Sequence, residues 1–102
     1  MTKRHVVDVL PQAIEEAREA RNYYLSKSPA AEEAFRKELE HAVALIRECP
    51  ETWPSYVHGT RRFVLRRFPF SVVYRTDDTS SLIVAVAHAK RKPGYWMSRL
   101  KP

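Results

Sequence analysis

The hydrophobic pattern of the chain changes its period once, at Gly59, and this change restricts the fold more than any other feature. Between residues 12 and 49 apolar residues recur every three or four positions, which is the spacing of a helix with one buried side. After Gly59 apolar and polar residues alternate, which is typical of strands. Helices grouped ahead of strands favour an α+β fold in which a helical hairpin covers one face of a sheet.

Two helices are predicted, one over residues 12–27 and one that begins after Ser28-Pro29 and ends near Cys49. Pro11 suits the start of the first helix, and Ser28-Pro29 supplies an N-cap and a first helical residue for the second. Pro50 ends the second helix. The short connection predicts an antiparallel hairpin. The apolar stripes are Ala13, Ala17, Ala20 and Tyr24, widened by Ile14 and Leu25, on the first helix, and Ala31, Phe35, Leu39, Ala42, Val43 and Ile46 on the second.

Four strands are predicted around this hairpin, over residues 5–10, 61–68, 70–76 and 81–89. The last of them is the most apolar, so we expect it at the centre of the sheet. The order is therefore β-α-α-β-β-β with a largely antiparallel sheet and a short C-terminal tail or helix from residue 90 to residue 102. A chain of 102 residues is expected to form one domain, residues 1–102. Trp53, in the loop before Gly59, is expected to pack inward.

The net charge of +6 is unevenly distributed along the chain. Residues 1–59 carry eight Lys and Arg against ten Asp and Glu, whereas residues 60–102 carry ten against two. A one-sided basic field attracts anionic partners such as nucleic acid, an acidic protein or a phospholipid surface. Strand alternation predicts that Arg62 and Arg66 share one face and that Arg61 and Arg67 lie on the other. Alternatively, these arginines form a solvated face that contributes nothing to binding.

Several functional classes are excluded by composition. The single cysteine, Cys49, excludes an internal disulfide framework and a thiol-only zinc site. No apolar run reaches the roughly 18 residues of a membrane span, and the first residues do not form a signal peptide, so we expect a cytoplasmic protein. His5, His41 and His58 have no spacing that suits a metal, and no metal or cofactor is expected.

Three stretches carry a resemblance to a known family: GTRRF at residues 59–63, FPFSVVYR at residues 68–75 and VAVAHAKRKPGYW at residues 84–96. Together with the element order, they resemble the RelE/ParE superfamily of type II toxin–antitoxin toxins over nearly the whole chain. A closing strand that ends in His-x-x-Arg-x-Pro followed by aromatic residues is similar to the ParE-like branch. The resemblance implies a toxin that a cognate antitoxin holds inactive.

Two targets are known for this fold, and the fold cannot choose between them. The resemblance implies either inhibition of DNA gyrase by binding, as in the ParE-like branch, or cleavage of mRNA on the ribosome, as in the RelE-like branch. Ser71 and Val64 stand where the RelE-like branch has basic residues, and serine cannot stabilise phosphate charge as a guanidinium does. The positions that match that branch are Arg62, Arg91 and Tyr95, and His88 is a further acid or base candidate. His88 alternatively forms a strand-end hydrogen bond to the backbone.

These considerations favour a ParE-like toxin without catalytic residues. Its expected target-binding residues are Arg61, Arg62, Arg66, Arg67, Lys90, Arg91, Tyr95 and Trp96; as a nuclease it would use Arg62, His88, Arg91 and Tyr95. The expected partners are DNA gyrase (alternatively the ribosome and mRNA) and a ParD-like antitoxin, which would lay a helical and an extended segment over the apolar surface and the basic groove of the toxin in a hetero-oligomer. For the aromatic pair in the tail, packing against the sheet is the alternative to an interface. A third reading is a toxin-fold remnant that binds only its antitoxin or nucleic acid.

Overall fold

The computed structural model describes residues 5–100. Residues 1–4, part of the segment in which no signal peptide is predicted, and residues 101–102, the end of the predicted tail, lie outside the described residues. The elements are β1 Val6–Val9, α1 Pro11–Lys27, α2 Pro29–Glu48, β2 Arg61–Val64, β3 Phe70–Thr76 and β4 Ser80–His88, with short 3-10 turns at Val57–Gly59 and Met97–Leu100. This order confirms the predicted α+β class.

The four strands form one sheet in the order β1-β4-β3-β2, which confirms the central place predicted for the most apolar strand. β2, β3 and β4 pair antiparallel, and β1 pairs parallel with β4. The parallel pairing ends where the N–H of Leu10 donates to the carbonyl of Ile83 at 3.0 Å. Among residues 5–100, β4 therefore has no strand beside it on that edge beyond Ile83.

The helical hairpin covers one face of the sheet. Ser28 caps α2 by accepting the N–H of Ala31 at 3.0 Å, as the sequence predicts. The predicted stripes supply much of the core on this side, where Ala13, Ala20, Phe35, Ala42 and Ile46 are buried with Val72, Tyr74 and Ile83 of the sheet. Ile14 and Leu25 are 56% and 52% exposed, so the widening of the first stripe was wrong. No helix within residues 5–100 is long and apolar enough to span a membrane.

The C-terminal segment covers the opposite face of the sheet. Trp96, only 1% exposed, packs there with Val73, Val84 and Ala85. Tyr56, Tyr95 and Leu100 pack at the edge of this second core. Because successive strand residues point to opposite faces, β3 and β4 are apolar on both sides, which explains their nearly continuous apolar sequence.

The predicted strand over residues 61–68 is wrong beyond Val64, where β2 ends. The backbone N–H groups of Arg66 and Arg67 donate to the carboxylate of Glu38 on α2 rather than to another strand. A side chain from the helical layer thus takes the hydrogen bonds that a longer strand would need. Arg66 and Arg67 therefore lie outside the strand, and alternation along β2 does not set their direction. Arg62, Arg66 and Arg67 all line one groove, so the predicted separation of Arg67 from the other two is wrong.

Candidate target-binding site

A small basic crevice of about 110 Å³ lies on the sheet face opposite the helices. Residues from β2, β3, the end of β4, the loop before β2 and the C-terminal segment meet there. Its lining includes Tyr56, Arg62, Ser71, His88, Arg91, Lys92, Tyr95 and Trp96. The fold therefore brings together residues that lie up to 40 positions apart in the sequence, among them every position of the nuclease alternative.

Two arginines of the crevice each stack on a tyrosine. The guanidinium carbon of Arg62 lies 4.2 Å from the centroid of the Tyr56 ring, and that of Arg91 lies 3.8 Å from the centroid of Tyr95. Cation–π contact orients a guanidinium without neutralising it. Within residues 5–100 neither arginine forms an ion pair, so both charges remain free for an anionic partner.

His88 and Ser71, which also line the crevice, form contacts within β3, β4 and the turn after β4. Nδ1 of His88 accepts the backbone N–H of Lys90 at 3.0 Å, and its ring meets the ring of Phe70 edge-on at 5.0 Å. This is the strand-end hydrogen bond that the sequence left as the alternative for His88. Ser71 pairs with Val64 on β2 and with Ala87 on β4, so this position offers a hydroxyl to the crevice and no cation.

Tyr95 is tied to a carboxylate that the sequence analysis missed. Its hydroxyl donates to Glu16 on α1 at 2.6 Å, and Arg99 donates to both oxygens of the same carboxylate at 2.9 Å each. The N–H of Val86 also donates to Glu16, at 3.0 Å. Nothing in the sequence could indicate this cluster, because Glu16 and Arg99 are 83 positions apart.

Burial would raise the pKa of Glu16, but the hydrogen bonds from Arg99, Tyr95 and the backbone outweigh it and hold the pKa below its usual value. Burial, together with the hydrogen bond to Glu16, raises the pKa of the Tyr95 phenol. Both shifts keep the cluster as a carboxylate that accepts from a neutral phenol at neutral pH. The carboxylate and its donors therefore fix the Tyr95 ring to α1.

The other predicted site residues lie elsewhere or inside. Arg61 donates to the backbone carbonyls of Glu51 and Trp53, at 3.1 and 2.7 Å, and so braces the loop before β2. Lys90 is exposed at the end of β4. Trp96 is buried, as the packing alternative predicts, and supports the crevice from within the core.

Arg66 and Arg67 line a second, larger groove of about 1050 Å³ between α2 and β2. Its apolar lining includes Leu45, Trp53, Phe63 and Val64, and its cations include Lys37 and Arg62. Arg67 also forms an exposed ion pair with Glu38 at 3.8 Å. An apolar groove with a cationic lining suits an extended segment that carries acidic side chains.

The outer edge of β2 is open at one residue in this groove. The N–H of Arg62 donates to the carbonyl of Pro54 at 3.1 Å, and Arg66 is bonded to Glu38, but Val64 between them is 57% exposed. The buried indole N–H of Trp53 has no acceptor among residues 5–100. An unpaired position on an outer strand edge is a place where a partner segment can add backbone hydrogen bonds.

A helical hairpin on a four-stranded mixed sheet, with a cationic crevice on the far face, is the architecture that the resemblance to the RelE/ParE superfamily implies. Residues 7–93 match the family described as the ParE toxin of the type II toxin–antitoxin system parDE, and the chain belongs to this family. No curated protein matches the sequence significantly.

A solved chain of the chromosomal ParDE toxin–antitoxin system from P. aeruginosa has a similar structure, with a TM-score of 0.63 at 18% identity. The match covers 87% of this chain and 100% of that one. At this identity the similarity supports the fold, and the family match carries the assignment as a ParE-type toxin.

Proposed function

We propose that this chain inhibits DNA gyrase by binding, without catalytic chemistry, and that a ParD-like antitoxin neutralises it. The observation that carries the proposal is the crevice of a ParE-family chain, in which Arg62 and Arg91 stack on tyrosines and lack carboxylate partners within residues 5–100. Ser71 provides a hydroxyl where RNA cleavage would need a guanidinium to stabilise phosphorane charge.

The proposed target-binding surface centres on Arg62, Arg91 and the exposed part of Tyr95, with Lys90 beside them. Guanidinium groups that are oriented but not neutralised favour fast association with an acidic surface or with the DNA that gyrase holds. Buried Trp96 supports this surface and does not contact the target. A site of action in the cytoplasm goes with this proposal, since the target acts on DNA there.

The proposed antitoxin site comprises the large groove, which shares Arg62 with the target-binding crevice, and a groove between the helices. An extended acidic segment suits the large groove beside Val64 and Trp53, where it would pair with the open edge of β2. A helical segment of the antitoxin suits another apolar groove, of about 490 Å³, between α1 and α2. The exposed side chains of Val9 and Ile14 line this groove. The toxin would then occur in a hetero-oligomer with its antitoxin.

One observation favours a second candidate, a ribosome-dependent mRNA endonuclease: Arg62, His88, Arg91 and Tyr95 line one crevice. The two functions separate in one experiment. The chain is expressed in bacteria without antitoxin, while a DNA-damage reporter and the positions of mRNA ends are followed in parallel. We expect an early damage response with intact mRNA.

The purified chain is also tested for inhibition of gyrase supercoiling. Arg62→Ala and Arg91→Ala are expected to weaken inhibition, and Lys27→Ala, which removes an exposed cation that also lies over a tyrosine ring at 5.0 Å, is the matched control. Cell killing with codon-phased mRNA cuts, and no effect on gyrase at any concentration, would overturn the proposal in favour of the nuclease.

A further inference from the structure

We infer that Glu16, which lies outside the crevice on α1, is a positioning residue that holds the Tyr95–Arg91 stack in its target-binding geometry. The inference rests on the proposed function, because it takes Arg91 as a contact to the target. It assigns a role in that function to a carboxylate that no sequence pattern and no family resemblance singles out.

Glu16 occupies the edge of the sheet where β1 has ended. Past Ile83, the backbone of β4 lacks a strand neighbour on this side, and the Glu16 carboxylate accepts the N–H of Val86 at 3.0 Å. Arg99 donates to the nearby carbonyl of Val84 at 3.1 Å. The Glu16–Arg99 ion pair thus forms hydrogen bonds to the backbone of β4 where a neighbouring strand would otherwise form them. It also attaches the C-terminal segment to α1 and β4.

The same carboxylate fixes Tyr95. Its Oε2 accepts the phenol hydroxyl at 2.6 Å and one nitrogen of Arg99 at 2.9 Å, while Oε1 accepts the other nitrogen. The side chains of Glu16 and Arg99 are only 14% and 16% exposed, so water competes weakly for these bonds. The direction of the Tyr95 ring is therefore set from the helical layer.

The ring of Tyr95 in turn holds Arg91. The guanidinium carbon of Arg91 lies 3.8 Å from the ring centroid, and Arg91 has no carboxylate partner within residues 5–100. A long exposed side chain loses rotamer freedom on binding, and a fixed stack removes part of that cost in advance. Release of Tyr95 from Glu16 would return this freedom to Arg91 and weaken target binding.

Inhibition of gyrase supercoiling is measured for Glu16→Gln and Tyr95→Phe, with Glu15→Gln as the matched control. Glu15 is an exposed acid on the same helix that pairs with Arg18 at 2.6 Å. Tyr95→Phe keeps the ring and loses only the hydroxyl, so it tests the idea even where Glu16→Gln lowers stability. Both variants are expected to need roughly five to ten times more protein than the wild type for half-inhibition. The control is expected to need the same amount as the wild type.

A double-mutant cycle separates positioning from a general effect on the fold. If Glu16 acts through Arg91, Glu16→Gln has no further effect on inhibition once Arg91→Ala is present. All variants are assayed well below their unfolding temperatures. Losses that add fully in the double variant would overturn the inference.

A second measurement does not depend on the target. The guanidinium carbon of Arg91 lies over the Tyr95 ring at 3.8 Å from its centroid, so the NMR resonance of the neighbouring Nε–H proton is expected to be shifted upfield in the wild type. The shift is expected to shrink in Glu16→Gln and Tyr95→Phe and to persist in Glu15→Gln. An unchanged shift in both test variants refutes the positioning role, whereas failure of the wild type to inhibit gyrase refutes the proposed function.

Discussion

Removal of the Arg99 cation, with replacement by the similarly long side chain of methionine, is expected to destabilise the protein strongly at neutral pH. The side chain of Glu16 is 14% exposed in the wild type, and the Arg99→Met variant leaves its carboxylate without a cation. Loss of one partner of a buried pair costs about 3–5 kcal/mol. Because this pair keeps some contact with water and Glu16 keeps its bonds to Tyr95 and Val86, we expect about 3 kcal/mol, or roughly 12–24 °C in unfolding temperature.

The pH dependence identifies the cause. In the wild type the pKa of Glu16 is lowered, so its contribution to stability is present above the ordinary pKa of a glutamate and is lost as the pH falls through the folded value. In Arg99→Met, burial, which is the largest influence on this group, would raise the pKa. Protonation of Glu16 then relieves the penalty, so the difference in stability from the wild type should shrink between pH 7 and pH 4.

Urea unfolding followed by circular dichroism at both pH values measures this difference. Arg18→Met, which breaks an exposed ion pair with Glu15, is the control and is expected to leave the midpoint nearly unchanged. A loss below about 1 kcal/mol at pH 7, or the same loss at both pH values, would show that the Glu16–Arg99 pair does not hold the C-terminal segment in place.

Three further predictions concern other parts of the fold. Ser28→Ala removes the N-cap bond of α2 and should cost about 1 kcal/mol in urea unfolding, with no change in target inhibition. Gly94→Ala should destabilise by about 1–2 kcal/mol in the same assay, because φ is +83° and a Cβ would lie 3.0 Å from Nε2 of His58; an unchanged midpoint would show that this turn adapts without cost. Burial raises the pKa of Tyr74 to about 12, so the stability that this neutral phenol contributes is complete below pH 10 and is lost as the pH rises through 12. Titration of tyrosine absorbance in the wild type and in Tyr74→Phe measures that value, and full ionisation near pH 10 would contradict it.

The uneven charge along the sequence is partly balanced in the fold. Glu16 pairs with Arg99 and Glu38 pairs with Arg67, so acids of the first half meet cations of the second. Arg62 and Arg91, which stack on tyrosines, have no carboxylate partner within residues 5–100. The sequence could indicate that a basic surface exists, but only the folded chain separates paired cations from free ones.

Much of the candidate site could be predicted from the sequence, because its residues lie on β2 or shortly after β4. Arg62, Arg91 and Tyr95 were expected to contact the target, and the fold brings them to one crevice. The role of Trp96 could not be predicted, since an aromatic residue near a chain end can pack against the sheet or contact a partner. Its burial against Val73 was decided by the second, apolar face of the sheet.

The element order, the N-cap at Ser28 and the central place of β4 could be predicted from the sequence, because each depends on local spacing or on the apolar content of one segment. The end of β2 and the contacts that hold the C-terminal segment could not be predicted in this way. Both depend on a carboxylate from the helical layer. Glu38 accepts the backbone N–H groups of Arg66 and Arg67. Glu16 accepts the hydroxyl of Tyr95, the guanidinium N–H groups of Arg99 and the backbone N–H of Val86. A polar side chain far away in sequence competes for backbone and side-chain donors only after the fold has brought it there.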